Sequence, residues 1–211
     1  MITFPTPDSI LRNCAIGSDN DTGGYSTANL EHVVEDDIPC LRFSGVLSLH
    51  VPTEARRRGM THSGWAGWRT RPMGANLFNR YAISGGMSCI DDRHPVWDTS
   101  LFRFLSLRVK GDDRRYYINV QTDSLDPIEL WQHRLFLRTP GQWETVLIPW
   151  SDFLRTRNGR ISYKKFDGMD RERVKTVGAS LIERKEGPYC LHVAEVKVPP
   201  TLFDASLLYV E

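Results

Sequence analysis

The chain has 211 residues, 40% hydrophobic and 25% charged, which excludes a disordered polypeptide and supplies enough apolar material for a self-sufficient core. Its 27 Lys and Arg against 26 Asp and Glu leave a net charge of +1, without the basic excess that nucleic-acid binders carry. No apolar run reaches the ~18 residues of a membrane-spanning helix.

The opening "MITFPTPDSILRNC" carries neither a signal-peptide core nor the Arg-rich amphipathic character of a transit peptide. The expectation is a protein that stays where it is made, or one whose targeting segment lies outside this sequence. Next come Asp19, Asn20 and Asp21 before Gly23 and Gly24. Oxygen ligands in such a cluster suit calcium, but the spacing misses an EF-hand loop. The competing reading is a turn in which Asp and Asn bond nearby backbone and the glycines take left-handed φ.

A strand is expected over Cys40–Val51. "EARRRGM" then places Arg56, Arg57 and Arg58 in a loop after Pro52, as solvated charge or as modest docking to an anionic membrane surface. "GWAGWRTR" over Gly64–Arg71 reads as a strand. Trp65 and Trp68 are three apart and fall on opposite faces, so if one is core the other is partly exposed. Met73–Ser100 is Gly-rich without a clear period and reads as a long loop carrying one strand.

Beyond it the period is two. In "FLSLRVK", Leu105, Leu107 and Val109 share a face. Lys110–Arg114 forms a hairpin connection, with Gly111 supplying positive φ. In the returning strand Tyr116, Ile118 and Val120 alternate with Tyr117, Asn119 and Gln121, and Trp131 and Arg134 follow shortly after. That second row admits three readings. It can stack and hydrogen-bond a sugar, anchor a protein partner, or pair across strands. "WETVLIP" repeats the alternation and stops at Pro149, with Trp143 and Trp150 as core and edge packing.

"SDFLRT" and "DRERV" are each expected to make one turn, and Arg155, Arg157 and Arg160 form a second basic cluster with the same two readings as the first. Strands close the chain over Val174–Glu183 and Tyr189–Val198, followed by a short apolar tail at 199–211. Many strands, short turns and little helix give an all-β jelly-roll sandwich. Residues 1–211 form a single domain with its core at about 17–198.

Catalytic patterns are missing. Cys14, Cys40, Cys89 and Cys190 form no CxxC pair, and free thiols are expected. His32, His50, His62, His94, His133 and His192 show no zinc spacing. The pairs Asp91/Asp92 and Asp112/Asp113 lie in turns, where two carboxylates cannot flank a glycosidic bond.

The blocks "GSDNDTGGYSTANL", "LRFSGVLSL", "GWAGWRTR", "RVKGDDRRYYINVQT", "PGQWETVLIPWSDF" and "VGASLIERKEGPYCLHVAEVKV" occur in an order that resembles the mitochondrial complex I intermediate-associated protein family. The resemblance runs from about Gly17 to Val198. It implies a galactose-binding-like jelly roll, a location in the mitochondrial matrix peripheral to the inner membrane, and a non-enzymatic assembly factor of NADH:ubiquinone oxidoreductase. On that reading the chain acts as a chaperone of early membrane-arm intermediates. Its partners are complex I subunits and other assembly factors, with no cofactor, metal, nucleic acid or small-molecule substrate. Candidate contact residues are Tyr117, Asn119, Trp131, Arg134, Arg56, Arg57 and Arg58, and the alternative function is a carbohydrate-binding module.

Overall fold

The computed structural model describes residues 2–8, 13–60, 63–71, 96–124, 126, 128–157, 159–162 and 168–199. In chain order the strands are β1 (Ile2–Thr3), β2 (Cys14–Ser18), β3 (Asn29–Glu35), β4 (Ile38–Leu47), β5 (Trp65–Thr70), β6 (Phe104–Gly111) and β7 (Tyr116–Thr122). They continue as β8 (Glu129–Arg134), β9 (Glu144–Pro149), β10 (Leu154–Arg157), β11 (Arg160–Ile161), β12 (Val174–Ile182) and β13 (Gly187–Lys197). A short helix, α1 (Thr53–Arg57), lies between β4 and β5. The expected single turns are 3-10 turns at Trp150–Asp152 and Arg171–Arg173.

Two antiparallel sheets face each other. One has the order β3-β4-β13-β6-β9 with β1 paired to β13, and the other runs β11-β10-β8-β7-β12-β5-β2. Non-consecutive neighbours in both sheets give the crossing connections of a jelly roll, as expected. Period-two side chains explain the fit. Leu105, Leu107 and Val109 on β6 meet Tyr116, Ile118 and Val120 on β7 in one core with Leu41, Phe43, Trp68, Leu181, Leu191 and Val193. Each large apolar side chain buried there contributes about 1.5–3 kcal/mol.

Bulges keep that alternation in register. The β13–β6 pairing shifts between Val193 and Glu195, so that Val196 turns inward where strict alternation would bury Glu195. Gly111 is a correction to the sequence reading. Its φ is not positive, and a Cβ there would stand 2.7 Å from Leu137 Cδ1, so the glycine serves close packing. The turn is held by Asp112, which accepts from Arg114 N at 3.0 Å and Cys190 N at 2.7 Å.

Arg114 locks the end of the sandwich. Its guanidinium donates to Glu183 at 3.1 Å and to the carbonyls of Lys185, Gly187 and Pro188, with side-chain exposures of 3% for Arg114 and 13% for Glu183. The expected strands at 40–51, 64–71, 174–183 and 189–198 match β4, β5, β12 and β13 to within a few residues. Most of the loop expected at 73–100, including Cys89, Asp91, Asp92 and His94, lies outside the described residues. So do His62 and tail residues 200–211.

Candidate functional site

The outward face of the seven-stranded sheet collects the row read from the sequence. Register places Arg134 opposite Tyr117 and Gln132 opposite Asn119 on β8, while Ser180 lies opposite Tyr117 on β12. Polar side chains then bond along the row. Gln132 donates to Asn119 Oδ1 at 2.8 Å, and Asn119 Nδ2 donates to Ser180 Oγ at 2.9 Å. Of the three readings of the row, cross-strand pairing describes Asn119.

Beside this polar ladder lies a groove of about 440 Å³ lined by Tyr117, Gln132, His133, Arg134, Phe136, Asp152, Leu154, Thr156, Gly159, Ile161 and Ile182. Its rim is apolar and accessible: Phe136 is 57% exposed, Leu154 54%, Ile161 48% and Ile182 46%. The Arg134 guanidinium sits 4.7 Å from the Phe136 ring centroid, a cation–π contact, and makes no ion pair among the described residues. Tyr117 and Arg134 therefore converge.

Trp131 does not join them. It pairs opposite Val120 on β7, so alternation turns its ring to the other side, against the core. Odd-numbered residues of β8 point inward and even-numbered ones outward, a parity the sequence reading missed by not assigning this strand. The Trp pair on β5 behaves as expected, with Trp68 buried and Trp65 on the outward face at 37% exposure.

Arg56 and Arg57 lie on α1 and Arg58 caps it, a correction to the loop expected after Pro52. Arg57 is paired with Glu54 at 2.6 Å. The second basic cluster is partly neutralised in place, with Arg155 bonded to Glu129 and Arg157 to Asp126 at 3.0 Å. Trp143 packs beside edge strand β9 and Trp150 in the core, as core and edge packing expects. The Trp143 ring lies 6.3 Å from His192, on the outward side of the six-stranded sheet, where Lys110 binds Glu35 at 2.6 Å and Asp36 at 2.9 Å. The hydrogen bonds from Lys110 hold both carboxyls below the usual range.

The acidic opening is a turn. Asp19 is fully buried and accepts from Ser26 N and Ser26 Oγ, each at 2.8 Å, and from Gly64 N at 2.5 Å. Asp21 accepts from Ser18 N in a capping box. Gly23 takes φ 97°, whereas Gly24 is required for space: a Cβ there would fall 2.3 Å from Asp19 Oδ1. These oxygens accept from backbone N–H groups and from the Ser26 hydroxyl.

An imidazole and a carboxylate share the groove. His133 and Asp152 both line it, but the imidazole Nδ1 is buried without a hydrogen-bond partner and Asp152 accepts from Ser151. Burial holds the His133 imidazole below its ordinary range, against the opposing pull of Asp152. Burial also pushes the Cys14 thiol up to about 12 and Cys40 to about 11, far from nucleophilic character. Cys14, Cys40 and Cys190 are free thiols.

Of the residues named from the sequence, Tyr117 and Arg134 line the groove, whereas Gln132, Phe136, Leu154, Ile161 and Ile182 line it without having been named. Strands β10 and β11 are four and two residues long, too short to show a period.

A family model described as "Complex I intermediate-associated protein 30 (CIA30)" matches residues 2–193. The chain is 39% identical over 210 residues to "Complex I intermediate-associated protein 30, mitochondrial" of Neurospora crassa, covering 90% of this chain and 69% of the relative. It is 24% identical to the protein of the same description from Drosophila melanogaster, covering 90% of this chain and 59% of the relative. Among solved structures it is similar in fold to a family 11 carbohydrate-binding module from Clostridium thermocellum, in complex with a β-1,3-1,4-mixed-linked tetrasaccharide. That likeness has a TM-score of 0.59 at 13% identity and covers 93% of this chain and 91% of the module.

Proposed function

Since the chain belongs to the complex I intermediate-associated protein 30 family, we propose that it is a non-enzymatic assembly factor of mitochondrial respiratory complex I. It binds early membrane-arm intermediates from the matrix side, peripheral to the inner membrane, and leaves when later subunits cover the same surface. The observation that carries this reading is the family match, which runs through both sheets from residue 2 to 193. The outward face supports it, since a half-exposed apolar rim around a guanidinium is what protein interfaces use as anchors.

The mechanism is differential affinity. A factor that binds only the incomplete surface stabilises that state, and the arrival of the native neighbour removes its site. A durable hold buries roughly 1,000 Å² or more, so contacts extend beyond the groove to Trp65 and neighbouring loops. The arginines at 56–58 are the candidates for peripheral membrane contact, each contributing about 1 kcal/mol near an anionic surface. The carbohydrate-binding alternative is less well supported, because Asn119 is bonded on both sides within the ladder.

The test is deletion of the gene followed by native electrophoresis of mitochondrial membranes. Loss of assembled complex I with accumulation of subcomplexes, restored by re-expression, is expected. Normal complex I in the deletion strain overturns the reading.

A further inference from the structure

We infer that the groove on the seven-stranded sheet receives a short apolar polypeptide segment bearing one acidic side chain, which pairs with Arg134. This rests on the assembly-factor reading and specifies the chemistry of the segment seized.

Three observations define the occupant. First, the rim is largely aliphatic. Leu154, Ile161 and Ile182 stand about half exposed around a groove of about 440 Å³, within the range of about 300–1,000 Å³ that ligand clefts occupy. Branched aliphatic side chains pack against other aliphatic side chains, whereas a pyranose ring needs flat aromatic platforms. Of the three rings lining the groove, Tyr117, His133 and Phe136, the last is already in contact with the Arg134 guanidinium. Second, the amides that would bind sugar hydroxyls are engaged with one another: Gln132 with Asn119, and Asn119 with Ser180.

Third, the charge is specific. Arg134 lacks an acidic partner among the described residues, and its side chain is exposed, so its planar fork is free to meet a carboxylate in bidentate geometry. Asp152 lines the same groove and limits how much negative charge it accepts. One carboxylate fits; a phosphate or an acidic run would bring its further charge against Asp152. The arrangement matches an apolar segment interrupted by a single Asp or Glu, such as an uncovered loop of a membrane-arm subunit.

The probe is a phage-displayed library of random 12-residue peptides, panned against the purified full chain and against Arg134→Glu. Circular dichroism and thermal melts first establish that the variant folds, as substitution of an exposed side chain allows. The expected result is enrichment of peptides with one Asp or Glu among aliphatic or aromatic residues. A synthetic copy of the best of them should lose at least about tenfold affinity for Arg134→Glu and for Leu154→Asp, each tenfold being 1.4 kcal/mol. Panning on Arg134→Glu should turn selection toward Lys or Arg.

No enrichment, enrichment without acids, or peptides indifferent to Arg134→Glu overturns the inference. So does saturable binding of a β-1,3-1,4-linked tetrasaccharide that Leu154→Asp abolishes, which would make the groove a glycan site. A deletion strain lacking complex I alongside a negative panning result would sink this inference and leave the assembly role intact.

Discussion

Gln132 Nε2 donates to Asn119 Oδ1 across 2.8 Å, and the same asparagine hands its own amide proton to Ser180 at 2.9 Å. Three strands, β8, β7 and β12, are thereby tied through side chains as well as backbone. Asn119→Ala removes both bonds and strands their partners on a half-covered sheet. It is expected to lower unfolding stability by about 1–3 kcal/mol with an unchanged m-value in urea. A variant as stable as the parent would reduce the ladder to an incidental feature.

Arg114 and Glu183 form the most buried ion pair described, 3.1 Å apart. Arg114→Met leaves Glu183 without its countercharge and removes one donor from each of three carbonyls. A loss of about 3–5 kcal/mol is expected in chemical denaturation, with part recovered when Glu183→Leu is added. Equal losses in the single and double variants would mean that the carbonyl bonds carry the effect.

Asp19 organises the approach to β5 by accepting from Ser26 and Gly64. Asp19→Asn keeps the volume but puts an NH₂ where an N–H donor already points. About 2–3 kcal/mol of stability should disappear, since a buried charge-assisted bond is lost and a donor left facing a donor. Added calcium should not restore it. Calcium-dependent melting of the parent protein would contradict the turn assignment.

Two histidines set a pH dependence. Burial lowers the pKa of His133 and of His192 from the ordinary 6.5, so the folded protein binds fewer protons at these sites than the unfolded chain does. Their stabilising effect is intact above about 6.5 and is lost as pH falls below it. Melting temperature should therefore decline between about pH 7 and pH 5, and His133→Gln should flatten part of the slope. A melting temperature that rises toward pH 5 would show the opposite linkage.

The sandwich was legible because alternation survives wherever a strand is long and central. Leu105 to Val109 and Tyr116 to Val120 announce their faces without help. Edge strands do not: in β3, Leu30, His32 and Val34 share the core-side parity, with Leu30 and His32 opposite Phe43 and Leu41, yet none of the three is fully buried, so no buried period shows. The site was half legible for the same reason. Tyr117 and Asn119 sit on a readable strand, while Leu154 and Ile161 come from strands of four and two residues whose positions only the sheet order fixes. Trp131 illustrates the remaining difficulty. A tryptophan near a polar row attracts a binding role, yet a one-residue change of parity sends it into the core.

The claim that this outward face grips a complex I intermediate is tested most directly by tagging the chain in its own mitochondria and quantifying co-purified complex I subunits. The comparison is between the parent and a folded variant carrying Arg134→Glu and Ile182→Asp. The account predicts membrane-arm subunits with the parent and at least about a tenfold reduction with the variant, as a loss of 1.4 kcal/mol or more requires. Equal recovery with both, or no complex I subunit with either, would contradict it.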